Sequence, residues 1–173
     1  MDEASARFEQ MFLPHLDAAH NLARWLTRNG HDAEDLVQES YLRAFRFFGG
    51  FKGGDSRSWL LTIVRNTCYS WLQRTRRQEL ETVFDEEVHT SDAQVFSPEK
   101  PLLANADGRM LQQAMEELPV TFREILVLRE LEGLSYKEIS DIAGVPIGTV
   151  MSSLARARKR LRQNLLKAMK KES

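Results

Sequence analysis

Apolar residues recur at helical spacing through most of this chain, and the reading is an all-α protein. Phe8, Met11, Phe12, Leu16, Ala19, Leu22, Ala23 and Leu26 keep that period with one break at Pro14, so residues 7 to 29 form one helix or two. Asn29, Gly30 and His31 read as a turn, with Asp32 placed to cap the next helix. From Ala33 to about Phe48 the inward stripe is Val37, Tyr41, Ala44, Phe45 and Phe48, against an outer stripe of Asp35, Gln38, Glu39, Leu42 and Arg46. A second strong stretch, Ser56 to Arg77, buries Leu60, Ile63, Val64, Thr67, Cys68 and Trp71 and turns Arg65, Asn66, Tyr69, Gln73 and Arg76 outward.

From Gln78 the periodicity is lost. Between Gln78 and Glu99 stand Glu79, Glu81, Asp85, Glu86, Glu87, Asp92 and Glu99 without a lysine or arginine, and with Ser97, Pro98 and Pro101 this marks a flexible acidic linker and a domain boundary. Order resumes near Asp107: Met110, Leu111, Ala114, Met115 and Leu118 line a helix that Pro119 ends, and Phe122, Ile125, Leu126 and Leu128 or Arg129 line another that fades at Gly133. The expected division is therefore residues 1–78, a linker at 79–106, and residues 107–173.

The last segment carries the sharpest pattern. Ser135 and Glu138 have capping-box spacing, Ile139, Ile142 and Ala143 share one face, and Gly144 with Pro146 ends one helix and opens another. In the following helix Val150, Leu154, Ala157 and Leu161 form the inner stripe. Met151, Ser152, Ala155, Arg156 and Lys159 form the outer one, small or basic with no carboxylate, as a helix entering a DNA major groove requires. This predicts a helix-turn-helix; the plain alternative is a helical hairpin with a solvated basic face.

Composition changes little. The chain is 42% hydrophobic and 28% charged, an ordinary globular balance, with neither an apolar run long enough to span a membrane nor a secretion signal, so a cytoplasmic protein is expected. The formal net charge of -1 conceals segregation, because the acids of the linker face a tail with Arg156, Arg158, Lys159, Arg160, Arg162, Lys167, Lys170 and Lys171. Cys68 reads as a small core residue. His20 and His31 lack metal-ligand spacing, and neither a metal nor a cofactor is expected. With no nucleophile–base–acid set or phosphate-cradling glycine motif, an enzyme is not expected either.

The exposed faces suggest partners. Leu42 among acids and an amide suits a protein surface, though a solvated face has the same period. Gly49, Gly50, Gly53 and Gly54 bracket Phe51 and Lys52, giving either a flexible connector or a pocket for an unstacked base. Arg65, Asn66, Tyr69, Gln73 and Arg76 suit phosphate contact with base stacking, while Arg74, Arg76 and Arg77 are also what a helix end attracts through its dipole.

Two motifs in order, DAEDLVQESYLRAF with SRSWLLTIVRNTCYSWLQRTRR and then ELPVTFREILVLRELEGLSYKEISDIAGVPIGTVMSSLARARKRL, resemble regions 2 and 4 of the sigma-70 family, specifically its extracytoplasmic-function group. The resemblance implies an alternative sigma factor that binds core RNA polymerase and helps melt the promoter. Asp35, Gln38, Glu39 and Leu42 would dock on the β′ clamp helices; Phe51, Lys52, Arg65, Asn66, Tyr69, Gln73 and Arg76 would meet the −10 element, the glycine loop taking a flipped base. Thr149, Met151, Ser152, Ala155, Arg156 and Lys159 would meet the −35 element while region 4 packs on the β flap. It also implies an acidic linker threading toward the RNA exit channel and an anti-sigma factor as a partner. Many relatives read GTVKSRL where this chain has GTVMSSL, so Met151 and Ser153 replace two cations and shift the electrostatics onto Arg156, Arg158, Lys159 and Arg160. The rival reading is a helix-turn-helix regulator that acts without polymerase.

Overall fold

The computed structural model describes residues 2–85 and 105–172, and every regular element among them is helical. The chain divides into two compact units, Met1–Ser97 and Pro98–Ser173, each with its own core.

In the first unit α1 spans Glu3–Phe12, and Asp2 caps it by accepting the Ser5 N–H at 2.8 Å. Pro14 cannot donate to a helical ladder, and it falls in a 3-10 turn, Leu13–His15, that separates α1 from α2 (Leu16–Thr27). The next cap differs from expectation. Asn29, not Asp32, caps α3 (Gly30–Arg46), its side chain accepting the N–H groups of His31 and Asp32 at 2.9 and 3.1 Å. Asn29 holds the extended backbone a cap needs, φ -148 and ψ 122, so Gly30 is already helical and Asp32 lies inside the first turn. A 3-10 turn, Phe48–Gly50, follows.

Helix α4 runs Ser56–Asp85. Asp55 starts it, accepting the Ser58 N–H at 3.2 Å and the Ser58 hydroxyl at 2.6 Å. Its length corrects the expectation that helical order stops near Gln78. That segment lacks glycine and proline and is rich in good helix formers, so what ends there is the packing face, not the helix. The acids Glu86, Glu87, Asp92 and Glu99, with Pro98 and Pro101, lie outside the described residues.

Helices α2, α3 and α4 pack together around Leu22, Leu26, Val37, Leu60, Val64 and Cys68, with Leu36, Ser40 and Leu61 also buried. Ser40 is satisfied by donating to the Leu36 carbonyl at 2.7 Å. Burial pushes the Cys68 thiol up to about 12, and nearby Glu39 adds to this, so it stays protonated. Beside this core lies a cluster of rings. Phe12, fully buried, has its ring centre 4.9 Å from Phe8, 5.8 Å from Phe48, 5.7 Å from Phe51 and 5.3 Å from Trp59. The Tyr41 hydroxyl donates to the Phe12 carbonyl at 2.7 Å. Phe45, expected inside, is 45% exposed and meets the cluster edge-on at Phe8.

In the second unit Asn105 caps α5 (Ala106–Glu116), and α6 (Val120–Leu126) passes into a π turn at Val127–Leu131. Arg123 and Glu124 are buried with the apolar residues, and the Arg123 guanidinium donates to the carbonyls of Glu116, the last residue of α5, and Leu118, just past it. Leu111, placed on the inner face by spacing, is 37% exposed. The capping box forms in full: Ser135 Oγ accepts the Glu138 N–H at 3.1 Å and Glu138 Oε1 accepts the Ser135 N–H at 2.8 Å. Helix α7 (Tyr136–Ala143) then ends at Gly144, φ 72, a left-handed angle that favours glycine. Helix α8 (Ile147–Glu172) buries Val150, Leu154 and Ala157 against α5, α6 and α7.

Phe12→Ala should cost about 3–5 kcal/mol, because it deletes a buried ring from the middle of the cluster. Trp25, Trp59 and Trp71 all lie in the first unit, so urea denaturation followed by tryptophan fluorescence reads that unit alone. A loss below about 1 kcal/mol would show that the cluster does not hold the unit together.

Candidate functional site

On α3, Asp35, Gln38 and Leu42 point to solvent, and Leu42 is 69% exposed. Glu39 is different: it is half-buried and pairs with Arg43 Nη2 at 2.6 Å, and Arg43 Nη1 reaches Thr67 on α4 at 3.4 Å. Leu42 opens onto a shallow groove of about 460 Å³ lined also by Leu13, Gln38, Tyr41 and Phe45. Leu13 and Phe45 escape the sequence reading because one sits off the α1 stripe beside Pro14 and the other sits on the expected inner stripe of α3. The result is an apolar floor with Ser5, Glu9 and Gln38 around it.

The loop between α3 and α4 is a defined turn. Gly53 and Gly54 lie at φ 91 and 89, angles that other residues rarely adopt. Phe51, expected at the tip, is half-buried, with its ring 5.0 Å from Trp59 and stacked on Phe48 at 6.5 Å. Lys52 is exposed. Along α4 the structure brings Arg65, Asn66, Tyr69, Gln73 and Arg76 onto one side. The Arg65 guanidinium lies 4.2 Å from the centre of the Tyr69 ring, and its Nη1 is 3.4 Å from Asn66 Oδ1. Arg65 and Tyr69 are half-buried, whereas Asn66, Gln73 and Arg76 are open.

On α8 the residues Thr149, Met151, Ser152, Ala155, Arg156 and Lys159 are all exposed, sharing about half of the helix circumference. Arg156 folds back along its own helix, Nη2 to Ser152 Oγ at 3.3 Å and Nε to the Ser152 carbonyl at 3.4 Å. Arg158 is drawn away from this face. Its Nη2 and Nε donate to Glu130 Oε1 at 2.7 and 3.0 Å, so it cannot take up the charge lost at Met151 and Ser153 while that pair holds. Ile147, 42% exposed in the first turn, joins the face; its place beside Pro146 could have revealed it.

Residues 11–78 match the family model for sigma-70 region 2 and residues 108–161 that for sigma-70 region 4. The ECF RNA polymerase sigma-E factor of Haemophilus influenzae is 34% identical over 151 residues, which cover 83% of this chain and 79% of the relative. The chain belongs to the sigma-70 family.

Within it the matches are to extracytoplasmic-function members. The ECF RNA polymerase sigma factor SigE of Mycolicibacterium smegmatis is 36% identical over 164 residues; these cover 95% of this chain but only 63% of that protein's length. Among solved structures, the sigma factor RpoE of Bartonella quintana, in complex with the anti-sigma factor NepR, has a TM-score of 0.73 and 31% identity, covering 93% of this chain and 97% of the other. CnrH, solved with the cytosolic domain of CnrY, shares the fold at a TM-score of 0.62 and 24% identity, covering 95% of this chain and 90% of that one. The region 2 match takes in α2, α3 and most of α4, and the region 4 match runs from α5 into α8.

A histidine anchors the region 2 loop. His15 Nε2 and Ser56 Oγ hydrogen-bond at 2.9 Å, joining the 3-10 turn after α1 to the first residue of α4. Burial lowers the His15 pKa from 6.5 and Arg57 lowers it further, against a smaller opposing pull from Asp55. A group whose folded pKa is depressed takes up protons more readily when unfolded, so region 2 should lose stability as pH falls below about 6.5. Urea titrations across that range should show the loss in the wild type and a smaller one in His15→Gln; equal slopes would remove His15 from the account.

Proposed function

We propose that this sigma factor docks on core RNA polymerase through the exposed face of α3, with Asp35, Gln38, Glu39 and Leu42 set against the β′ clamp helices. Leu42 fills an apolar contact, Asp35 and Gln38 supply polar ones, and Glu39 holds Arg43 in place at the edge. Lys52, Arg65, Asn66, Tyr69, Gln73 and Arg76 then face the −10 element, with Phe51 shaping the loop from within. Thr149, Met151, Ser152, Ala155, Arg156 and Lys159 face the −35 element from α8, and region 4 rests on the β flap.

The observation that carries this reading is the coexistence, in one chain, of a basic recognition face on α8 and an apolar, acid-rimmed face on α3. A regulator acting on DNA alone has no use for the second. Melting costs roughly 1.4 kcal/mol of stacking per base-pair step, and base contacts on region 2 offset it. Two weak DNA modules held on one polymerase gain by effective concentration, so a net charge near zero is no obstacle. The polymerase performs the bond chemistry, and this chain contributes choice of start site.

The RpoE structure is a complex with an anti-sigma factor, and we extend that kind of partner to this chain. A cytoplasmic location follows from work on the chromosome; among the described residues no helix is long and apolar enough to cross a membrane. The acidic linker toward the RNA exit channel remains part of the proposal.

Run-off transcription with core polymerase on a promoter library is the deciding experiment: the purified chain should create start-site choice that core enzyme lacks. Because Glu39 is engaged with Arg43, the cleaner docking variants are Asp35→Lys and Leu42→Asp, both at exposed positions. Each should weaken binding of labelled protein to core enzyme by at least about tenfold while leaving the circular dichroism spectrum unchanged. Unaltered assembly would remove the docking assignment. Arg156→Ala should cost about 1–3 kcal/mol at one −35 position if the guanidinium reads a base, and should weaken all sequences equally if it meets only phosphate.

A further inference from the structure

Two of the cations around the helix-turn-helix are already answered from within the chain. Lys137, in the first turn of α7, pairs with Asp141 at 3.3 Å, an ordinary contact along one helix. Arg158 is held across the fold. Its Nη2 and Nε both donate to Glu130 Oε1, at 2.7 and 3.0 Å, and Glu130 stands 28 positions earlier, in the π turn after α6. Arg158 also hydrogen-bonds Tyr136, and the Arg129 guanidinium lies 4.6 Å from the centre of the Tyr136 ring. Arg129 Nη1 is itself fixed on the Leu134 carbonyl at 2.8 Å. Glu130 therefore reaches Arg158 from a braced turn.

Arg158 stands at the rim of the outer face of α8. At about 3.6 residues per turn it follows Met151 by two turns on nearly the same line, and Met151 follows Ile147 by one. The three make one edge of the face that carries Ser152, Ala155, Arg156 and Lys159. A guanidinium extended from that edge comes where a helix seated in a major groove meets the phosphates of the groove wall. Glu130 offers it a carboxylate first. One carboxylate oxygen that takes two N–H groups of a guanidinium gives it the same charge-assisted contact a phosphate oxygen would give.

We propose that Glu130 is a positioning residue that withholds Arg158 from the DNA phosphates, standing in for a phosphate, and so sets how strongly region 4 is drawn to DNA of any sequence. The inference rests on the −35 reading of α8 above and adds to it a residue that never touches DNA. Phosphate contacts carry no sequence information, so the effect falls on general affinity and on its salt dependence, not on which −35 sequence is preferred. The pair is exposed and contributes little to the fold, so its removal leaves region 4 intact and isolates the electrostatic role.

The test uses holoenzyme assembled from core polymerase and the full chain, on a promoter duplex selected with wild-type holoenzyme and a copy with its −35 element scrambled. Binding is followed by fluorescence anisotropy from about 50 to 200 mM salt. Glu130→Gln should tighten binding about two- to fivefold at the low end, equally on both duplexes. One cation released onto one phosphate steepens the fall of log K with log salt by about 0.9, so the gain should fade toward the upper end. Arg158→Gln alone should match wild type, because Glu130 already engages that charge, and the double variant Glu130→Gln/Arg158→Gln should return to the wild-type slope. A wild-type slope in Glu130→Gln overturns the inference. So does a shallower slope in Arg158→Gln, which would put Arg158 on a phosphate already, or a steepening that survives in the double variant, which would make Glu130 a plain repelling charge. A gain confined to one duplex, or a melting temperature lowered by more than about 4 °C in any variant, would make the pair a support of the helix and overturns it as well. Wild-type holoenzyme that binds both duplexes alike would instead overturn the −35 reading itself.

Discussion

Region 2 depends on the packing of one ring. Phe12 ends α1 and sits among Phe8, Phe48, Phe51 and Trp59, so a single buried side chain ties α1, the end of α3, the loop and the start of α4 together. Its carbonyl is engaged too, by the Tyr41 hydroxyl. A loop with four glycines would otherwise sample many conformations at a high entropic cost of ordering. Here its aromatic residues are turned inward and spent on holding it, which leaves backbone and Lys52 for outside work. The same division explains the apolar groove by Leu42: Phe45 and Tyr41 each pack one edge into the cluster and present another to the surface.

Region 4 is held by polar devices at the ends of short helices. The capping box starts α7, Gly144 ends it, and the buried Arg123 guanidinium satisfies carbonyls at and just after the end of α5. The π turn after α6 leads to Arg129, which donates to the Leu134 carbonyl at 2.8 Å and lies 4.6 Å from the centre of the Tyr136 ring. One residue on, Glu130 grips Arg158 on α8. This pair is exposed and contributes little to stability, yet it crosses from the turn after α6 to α8 and engages one of that helix's cations. On the proposed −35 assignment, recognition geometry is thus set by contacts made away from the recognition surface.

Much of this was legible in the order of residues. Strong local signals, such as Ser135 with Glu138, Gly144 before Pro146, and the stripe of Val150, Leu154 and Ala157, act within one or two turns and survive folding unchanged. What period alone misjudged depends on neighbours distant in sequence. Period puts Phe45 inside and the glycines around Phe51 put it at an open loop, and both readings change only once the position of Phe12 is known. Glu39 reads as one more surface acid until Arg43 is seen reaching Thr67 on α4. The end of α4 was misjudged for another reason: a helix can outlast its packing face, since good helix formers carry it on while the apolar period stops.

The two departures in the recognition helix acquire a meaning in this setting. With Met151 and Ser153 in place of cations and Arg158 held by Glu130, the exposed charge on the first three turns of α8 narrows to Arg156. Counterion release then contributes less to region 4 binding than it does for a relative with both cations. Met151, 53% exposed, and Ile147, 42% exposed, offer apolar surface on the same turns, suited to thymine methyl groups in a major groove. A recognition face of this kind trades general attraction to DNA for contacts that differ among bases, and so relies more heavily on the polymerase to bring it to its site. On the proposed assignments, the apolar face on α3 and the thinly charged face on α8 are complementary parts of one arrangement: the weaker the second, the more the protein depends on the first.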